Sequence, residues 1–547
     1  MVGDHYEVVG CMNHGRLGWI YLAMDRSASN RWVVLEGLVD SGDTDAIQAA
    51  ISNHQFLAEI EHLNIVRIDQ FVQQEDAGCF IVEEYLGGTS LQDVRRQFND
   101  ETGEPIPVAQ AIAFMLEVLP ALGYLHGRNL LYCDLKPEEI IQTGQQVKLV
   151  GLACVRRMDD DISPLCGTVG FQAPEVAELG PSVSSDLYTV ARTLAILTLD
   201  VPGFQDVRRY ATCLPPAAEV PVFTHYDSFH RFLVKGTNPG ADKRFKSAEV
   251  MAEQLLGVLR EVVALDGDGT PVQPPPSKQF GPAPFASPDE ADWRSLPVPN
   301  LHDAADPQDP LPAGPSDAIR ARDPSAPKPA PMTPQAGFRL AQAHINAGEL
   351  DRAELTLLSI AARGYTDWPL RWWIGVRALA ARLYQLAAEE FNAACTELPG
   401  ELAPKLALAY ALELAGDVQE ASRHYATITM TDPDWANASF GLARCRLQQR
   451  DRTGAAAALQ AVPATSGAHA QAQAMLCRVL SEVADGWVPT LQDLVSASEA
   501  VEGIPEDAET RARLSRDLLL SVLAMLRDGT LPPSRTEPVA VIPPTKV

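Results

Sequence analysis

A period of 34 residues in the C-terminal half sets the tightest limit on how this 547-residue chain can fold. Leu340, Ile374, Leu408 and Leu442 recur at that interval, as do Ala353, Ala387, Ala421 and Ala455, and likewise Leu357, Phe391, Tyr425 and Leu459. A small residue followed four positions later by a large apolar one puts both on one helix face. The alanine admits a close neighbour, and the larger side chain fills the next groove. Pro399 and Pro433 fall between successive units, where a helix has to stop. A helix pair of this length cannot bury its apolar face alone, so the units must stack into an α-solenoid.

The solenoid is predicted over 335–530, closed at its end by Leu514, Leu518, Leu519, Val522, Leu523 and Leu526, with a Pro-rich, disordered tail over 531–547. Ahead of it, 18 of the 42 prolines lie between Asp266 and Pro334, which leaves 266–334 as an extended linker. That linker reads chiefly as a spacer, although Phe280 to Leu301 carries enough Phe, Trp and Leu to dock on a neighbouring domain.

Net charge narrows the function classes. At −27, the chain lacks the general basic face that nucleic acid or an anionic membrane requires. No run of about 20 uncharged apolar residues and no signal peptide are read from the sequence, so a cytoplasmic protein without a membrane span is expected. The nine cysteines are scattered without a Cys-x-x-Cys pair, which points to free thiols and no metal site.

Residues 6–39 alternate as strands, in Tyr6-Glu-Val-Val9, Trp19-Ile-Tyr-Leu-Ala23 and Arg31-Trp-Val-Val-Leu35. Gly10, Gly15 and Gly18 give the first turn a backbone that can lie against phosphates, and Arg16 adds a cation there. A helix is predicted over roughly Asp43–Glu61, with Phe56, Leu57 and Ile60 on one face, then strands near Ile65–Phe71 and Phe80–Glu84. Core helices are predicted over Val108–Leu125 and Ser184–Leu199. Between them stand Tyr132-Cys-Asp134-Leu-Lys136-Pro-Glu-Glu139, Lys148-Leu-Val-Gly151-Leu-Ala153 and Gly167-Thr-Val-Gly170-Phe-Gln-Ala173-Pro174-Glu175.

Residues 6–265 thereby resemble the serine/threonine kinase domain of the actinobacterial protein kinase G family. The likeness is carried by the stretch from Gly10 to Asp25, Gln55-Phe-Leu-Ala-Glu59, Asp134-Leu-Lys-Pro-Glu138 and Gly170-Phe-Gln-Ala-Pro-Glu175. The 34-residue repeat matches the tetratricopeptide domain which that family joins to its kinase. The implied fold is a two-lobed α+β kinase-like domain over 1–265 followed by an all-α tetratricopeptide solenoid. The family's rubredoxin-like metal module is expected to be absent.

The resemblance implies roles residue by residue. A kinase uses a catalytic-loop Asp to receive the hydroxyl proton, an Asn and a second Asp to hold magnesium, and a strand Lys to grip phosphates. Asp134 carries over as the catalytic Asp and Lys136 as the lysine near the transferred phosphate. Glu36, Glu139 and Gly151 stand where the phosphate Lys, the magnesium Asn and the magnesium Asp are expected. Glu59 then has no counter-charge. Glu83 precedes the hinge Tyr85-Leu-Gly-Gly88, so Glu36, Glu59 and Glu83 are expected to converge and raise one another's pKa. Cys133 replaces the arginine that would clasp an activation-loop phosphate. Asp186 fits the residue that braces the catalytic loop, and Arg244 the buried partner of Glu175.

Three functions stay open on the sequence. The leading one is a pseudokinase on a tetratricopeptide scaffold that needs no cofactor. The second is an active or weakly active serine/threonine kinase using ATP and magnesium, with Arg16 in place of the missing lysine and Glu139 as a metal ligand. The third is a peptide-binding solenoid with the kinase lobe as a cap. In each, a protein partner is expected on the concave solenoid face, and the resemblance implies a forkhead-associated regulator as its kind.

Overall fold

The computed structural model describes residues 1–14, 18–39, 55–74, 78–162, 165–204, 209–267, 276–282, 288–300, 333–483, 487–504 and 508–529. The chain divides into two units, Met1–Val262 and Val263–Val547.

In the first unit, five antiparallel strands pair in the order β1 (Tyr6–His14), β2 (Trp19–Asp25), β3 (Arg31–Val39), β5 (Gly78–Glu84), β4 (Ile68–Gln74). Between register shifts such as that at Gly37/Val39, alternation divides their side chains between two faces. Val33, Leu35, Phe80 and Val82 join Tyr6 and Ala23 in a small core on one face. Ile81 points the other way, into the large core that also holds Leu57, Ile60 and Leu135. Gly18 is required by a close approach, since a Cβ there would stand 2.9 Å from the Gly37 carbonyl oxygen on β3.

The predicted helix over 43–61 lies largely outside the described residues. Its described end, Gln55–Glu59, is a 3₁₀ turn that buries Leu57 and leaves Glu59 exposed. Helix Val108–His126 is long and apolar enough to cross a membrane by composition, yet its buried face, including Ile112, Met115, Leu119 and Leu122, helps build the large core. Helix Val183–Thr198 packs beside it, opened by a capping box at Ser182 and Ser185. Arg244 is 1% exposed and donates to both carboxylate oxygens of Glu175, at 2.6 and 2.8 Å.

In the second unit, helices Pro334–Asn346, Trp368–Ala380, Leu402–Ala415 and Ala436–Gln448 begin 34 residues apart. Each pairs with the helix after it: Leu350–Ala361, Tyr384–Glu397, Val418–Thr431 and Arg452–Gln460. Ala353, Ala387, Ala421 and Ala455 are all at 0% exposure, as close helix packing demands. Helices His469–Ser481, Leu491–Glu502 and Ala508–Arg527 complete the stack. Of the predicted closing residues, Leu514, Leu518 and Val522 are buried, whereas Leu519, Leu523 and Leu526 are exposed on the opposite face of that last helix.

The linker is more than a spacer. Phe280 is buried against Trp368 and Trp372, with ring centroids 5.1 and 4.8 Å apart. Leu296 joins the same core, and the Ser295 hydroxyl lies 3.0 Å from the Tyr410 hydroxyl. The first helices of successive pairs therefore already carry part of the chain itself. Residues 301–332 and the tail 531–547 lie outside the described residues.

Candidate functional site

Asp134 is presented by a loop whose backbone is held from behind. The Asp186 carboxylate accepts from the backbone N–H of Tyr132 and of Cys133, both at 2.8 Å, and lies 2.9 Å from His126 Nε2. Those bonds hold Cys133 at φ +74°, a left-handed conformation that a residue with a Cβ seldom adopts. Asp134 follows at 5% exposure. Lys136 Nζ donates to Asp134 Oδ2 at 2.8 Å and to Thr168 Oγ1 at 3.2 Å, while the Thr168 hydroxyl donates to the same Asp134 oxygen at 3.1 Å. Asp134 Oδ1 is buried with no hydrogen-bond partner among the described residues. Thr168 escaped the sequence reading of the site, although it stands in the Gly167–Gly170 stretch.

Beside this triad lies a group of carboxyls. Val34 on β3 is opposite Glu83 on β5, and Glu36 is opposite Ile81, so Glu36 and Glu83 are diagonal neighbours on one face of the sheet. They are only 5% and 4% exposed, and Glu83 Oε1 has no hydrogen-bond partner among the described residues. Burial, with the charge of Glu139 behind it, pushes the Glu36 carboxyl up to about 8. Burial raises Glu83 well above the carboxylate range, with Glu36 and Glu139 adding to it. Glu139 is raised as well, first by burial, against which the ammonium of Lys136 acts. The third member of the group is therefore Glu139, and the expected convergence of Glu36, Glu59 and Glu83 is corrected at Glu59. The 3₁₀ turn that brings Leu57 inward faces Glu59 to solvent.

Glu139 occupies a space of a particular kind. Gly151 has φ +68°, and a Cβ built on it would stand 2.0 Å from Glu139 Oε2. The Glu139 carboxylate fills the position that any side chain at 151 would need first. Its other oxygen is 3.5 Å from Lys136 Nζ. Lys148, on the adjacent strand Gln146–Leu149, is engaged with Glu84 at 2.5 Å. Gly10 lies on β1 opposite Leu22 with open space at its Cβ position. Gly15 and Arg16 lie outside the described residues.

Comparison with known proteins agrees with this architecture. Residues 6–231 match the protein kinase domain family, and residues 287–543 match the protein kinase G tetratricopeptide repeat family. The chain is 39% identical to the serine/threonine-protein kinase PknG of Mycolicibacterium smegmatis, across 97% of this chain and 73% of that protein. The chain belongs to the protein kinase G family. The PknG of Mycobacterium leprae is 38% identical over 95% of the chain. Likeness to the serine/threonine-protein kinase pkn2 of Myxococcus xanthus is 25% over 50% of the chain. This protein kinase G relative thus pairs a kinase fold with a helical repeat domain, and carries Glu36, Glu139 and Gly151 in the site just described.

Proposed function

We propose that this chain is a pseudokinase whose tetratricopeptide domain binds protein partners in the cytoplasm, where its cysteines stay reduced as thiols. The observation that carries this reading is the carboxyl group formed by the buried Glu36 and Glu83 with the partly exposed Glu139, which Lys136 contacts as its cation among the described residues. Phosphoryl transfer is catalysed almost wholly by positioning and by neutralising phosphate charge. In this reading Glu36 replaces the phosphate lysine, Gly151 brings no ligand, and Lys136 is already engaged by Asp134. A magnesium–nucleotide complex does not fit that residue set. Burial favours the neutral forms of Glu36 and Glu83 at the expense of any cation site, and each deprotonation would oppose an incoming phosphate.

One observation favours a second reading. Asp134, Lys136 and Thr168 keep a connected arrangement, and the Glu139 carboxylate takes up the space at Gly151. A kinase in which Glu139 serves as the metal ligand would use both facts. Transfer of labelled γ-phosphate from ATP, to the chain itself and to a generic protein acceptor, separates the two. A signal no higher than that of Asp134→Ala supports the pseudokinase. Transfer that depends on Asp134, with magnesium or manganese, establishes the kinase.

A further inference from the structure

Four arginines gather at one place in a chain with 71 acidic and 44 basic residues. A cavity of about 520 Å³ in the helical unit is lined by Arg444, Arg450, Arg452 and Arg478, against the acidic side chains Asp289 and Glu482. Four guanidinium groups reach it from different elements. Arg444 comes from helix Ala436–Gln448, Arg450 from the turn after it, Arg452 from the start of helix Arg452–Gln460, and Arg478 from helix His469–Ser481. Arg450 holds φ +62°, so the turn that aims it is left-handed.

The four are not equivalent. Arg444 is committed to Glu413, with Nε and Nη2 at 2.7 and 2.8 Å from its two oxygens. Arg452 donates to the Val479 carbonyl at 2.9 Å and lies 4.5 Å above the Trp487 ring. Arg478 is half exposed with Asp289 at 3.6 Å, and Arg450 is exposed with no ion-pair partner among the described residues. Leu447, Met475 and Val479 supply an apolar part of the lining.

The chain's own segment shows what these groups accept. The Pro288 carbonyl takes a hydrogen bond from Arg444 Nη1 at 3.4 Å, and the Asp289 carboxylate stands beside Arg478. That is a peptide carbonyl and a carboxylate on adjacent guanidinium groups. A lone anion fills a small part of such a volume, which lies within the range of ligand-binding pockets. Guanidinium forks match carboxylates in geometry, and an aromatic ring with an apolar floor holds an apolar side chain.

We propose that this cavity binds an acidic peptide segment of a partner protein, lying along Pro288 and Asp289. Its carboxylates sit on Arg450 and Arg478, and an apolar side chain lies beside Trp487. The site rests on the partner-binding reading of the helical domain, and is independent of whether the cleft of the first unit transfers phosphate.

Fluorescence anisotropy on the full chain tests it, with the labelled peptide Glu-Asp-Leu-Glu-Asp-Leu and its amide counterpart Gln-Asn-Leu-Gln-Asn-Leu as probes. The acidic probe is expected to bind about tenfold more tightly than the amide, and the double variant Arg450→Glu, Arg478→Glu to lose about tenfold. Asp289→Asn frees Arg478 and is expected to tighten binding about threefold. It also keeps the test open if the double variant proves unstable by circular dichroism. Equal affinity for the two probes, or unchanged binding in a folded double variant, overturns the proposal. So does an Asp289→Asn variant that binds no tighter. Inorganic phosphate displacing the probe at the probe's own concentration would show a general anion site, and also overturns it. The assay contains no nucleotide, so its failure removes this site and leaves the cleft reading to the phosphotransfer test.

Discussion

Glu413 in the helical unit, with its side chain 7% exposed, and the buried Glu83 in the kinase unit are provisioned in opposite ways. Glu413 receives both arms of Arg444 and the Tyr425 hydroxyl at 2.6 Å. Glu83 has one oxygen without a partner among the described residues, and three further carboxyls, Glu36, Glu139 and Glu84, in its field. A buried charge persists when it is paired and bonded, whereas an unpaired one takes up a proton. The same contrast exists within the kinase unit. Glu175 and Arg244 form a bidentate pair that holds architecture, while Glu83 keeps one oxygen without a partner among the described residues.

Breaking the well-provisioned side should have the largest effect. Arg444→Ala leaves Glu413 buried without its counter-charge and is expected to destabilise the helical unit by about 3–5 kcal/mol, read by urea unfolding. Forcing a side chain into the cleft comes next. Gly151→Ala meets both a left-handed backbone and the Glu139 carboxylate, and should cost about 1–3 kcal/mol. The same substitution in a Glu139→Ala background should lose only the backbone part. Glu83→Leu removes the unpartnered oxygen, and a gain of about 1–3 kcal/mol in the kinase unit is expected.

The pH dependence sharpens the comparison further. Glu36 in the folded chain holds its proton up to about 8, whereas the unfolded chain releases it near the usual glutamate value of 4.5. Between those values the native state binds more protons, so stability is full below about 4.5 and falls as pH rises to about 8. The slope is about 1.4 kcal/mol per pH unit for one such proton. Glu36→Gln should flatten that slope in a series of melting curves, and an unchanged slope would place the Glu36 carboxyl outside the group.

Much of this was legible in the sequence, for definite reasons. The repeat could be read to the residue because each alanine at 353, 387, 421 and 455 answers the same steric demand. The kinase resemblance brought Glu36 and Glu83 together, and the register of the two strands places them on one face. Glu59 was misplaced because a regular helix was assumed where the described backbone is a 3₁₀ turn. Glu139 was not seen as their neighbour because its position depends on the space left at Gly151, a contact between the catalytic loop and the strand beyond it. In the linker, proline count pointed to a spacer, while the outcome turned on one ring, Phe280, finding two tryptophans.

Thermal unfolding of the purified full chain with ATP, with and without magnesium or manganese, bears most directly on the cleft. A ligand at 100 times its dissociation constant stabilises a fold by about 2.7 kcal/mol, well within reach of such a measurement. The carboxyl group of Glu36, Glu83 and Glu139 predicts no metal-dependent rise in melting temperature at any nucleotide concentration tested. A rise that requires the metal and disappears in Asp134→Ala would contradict it.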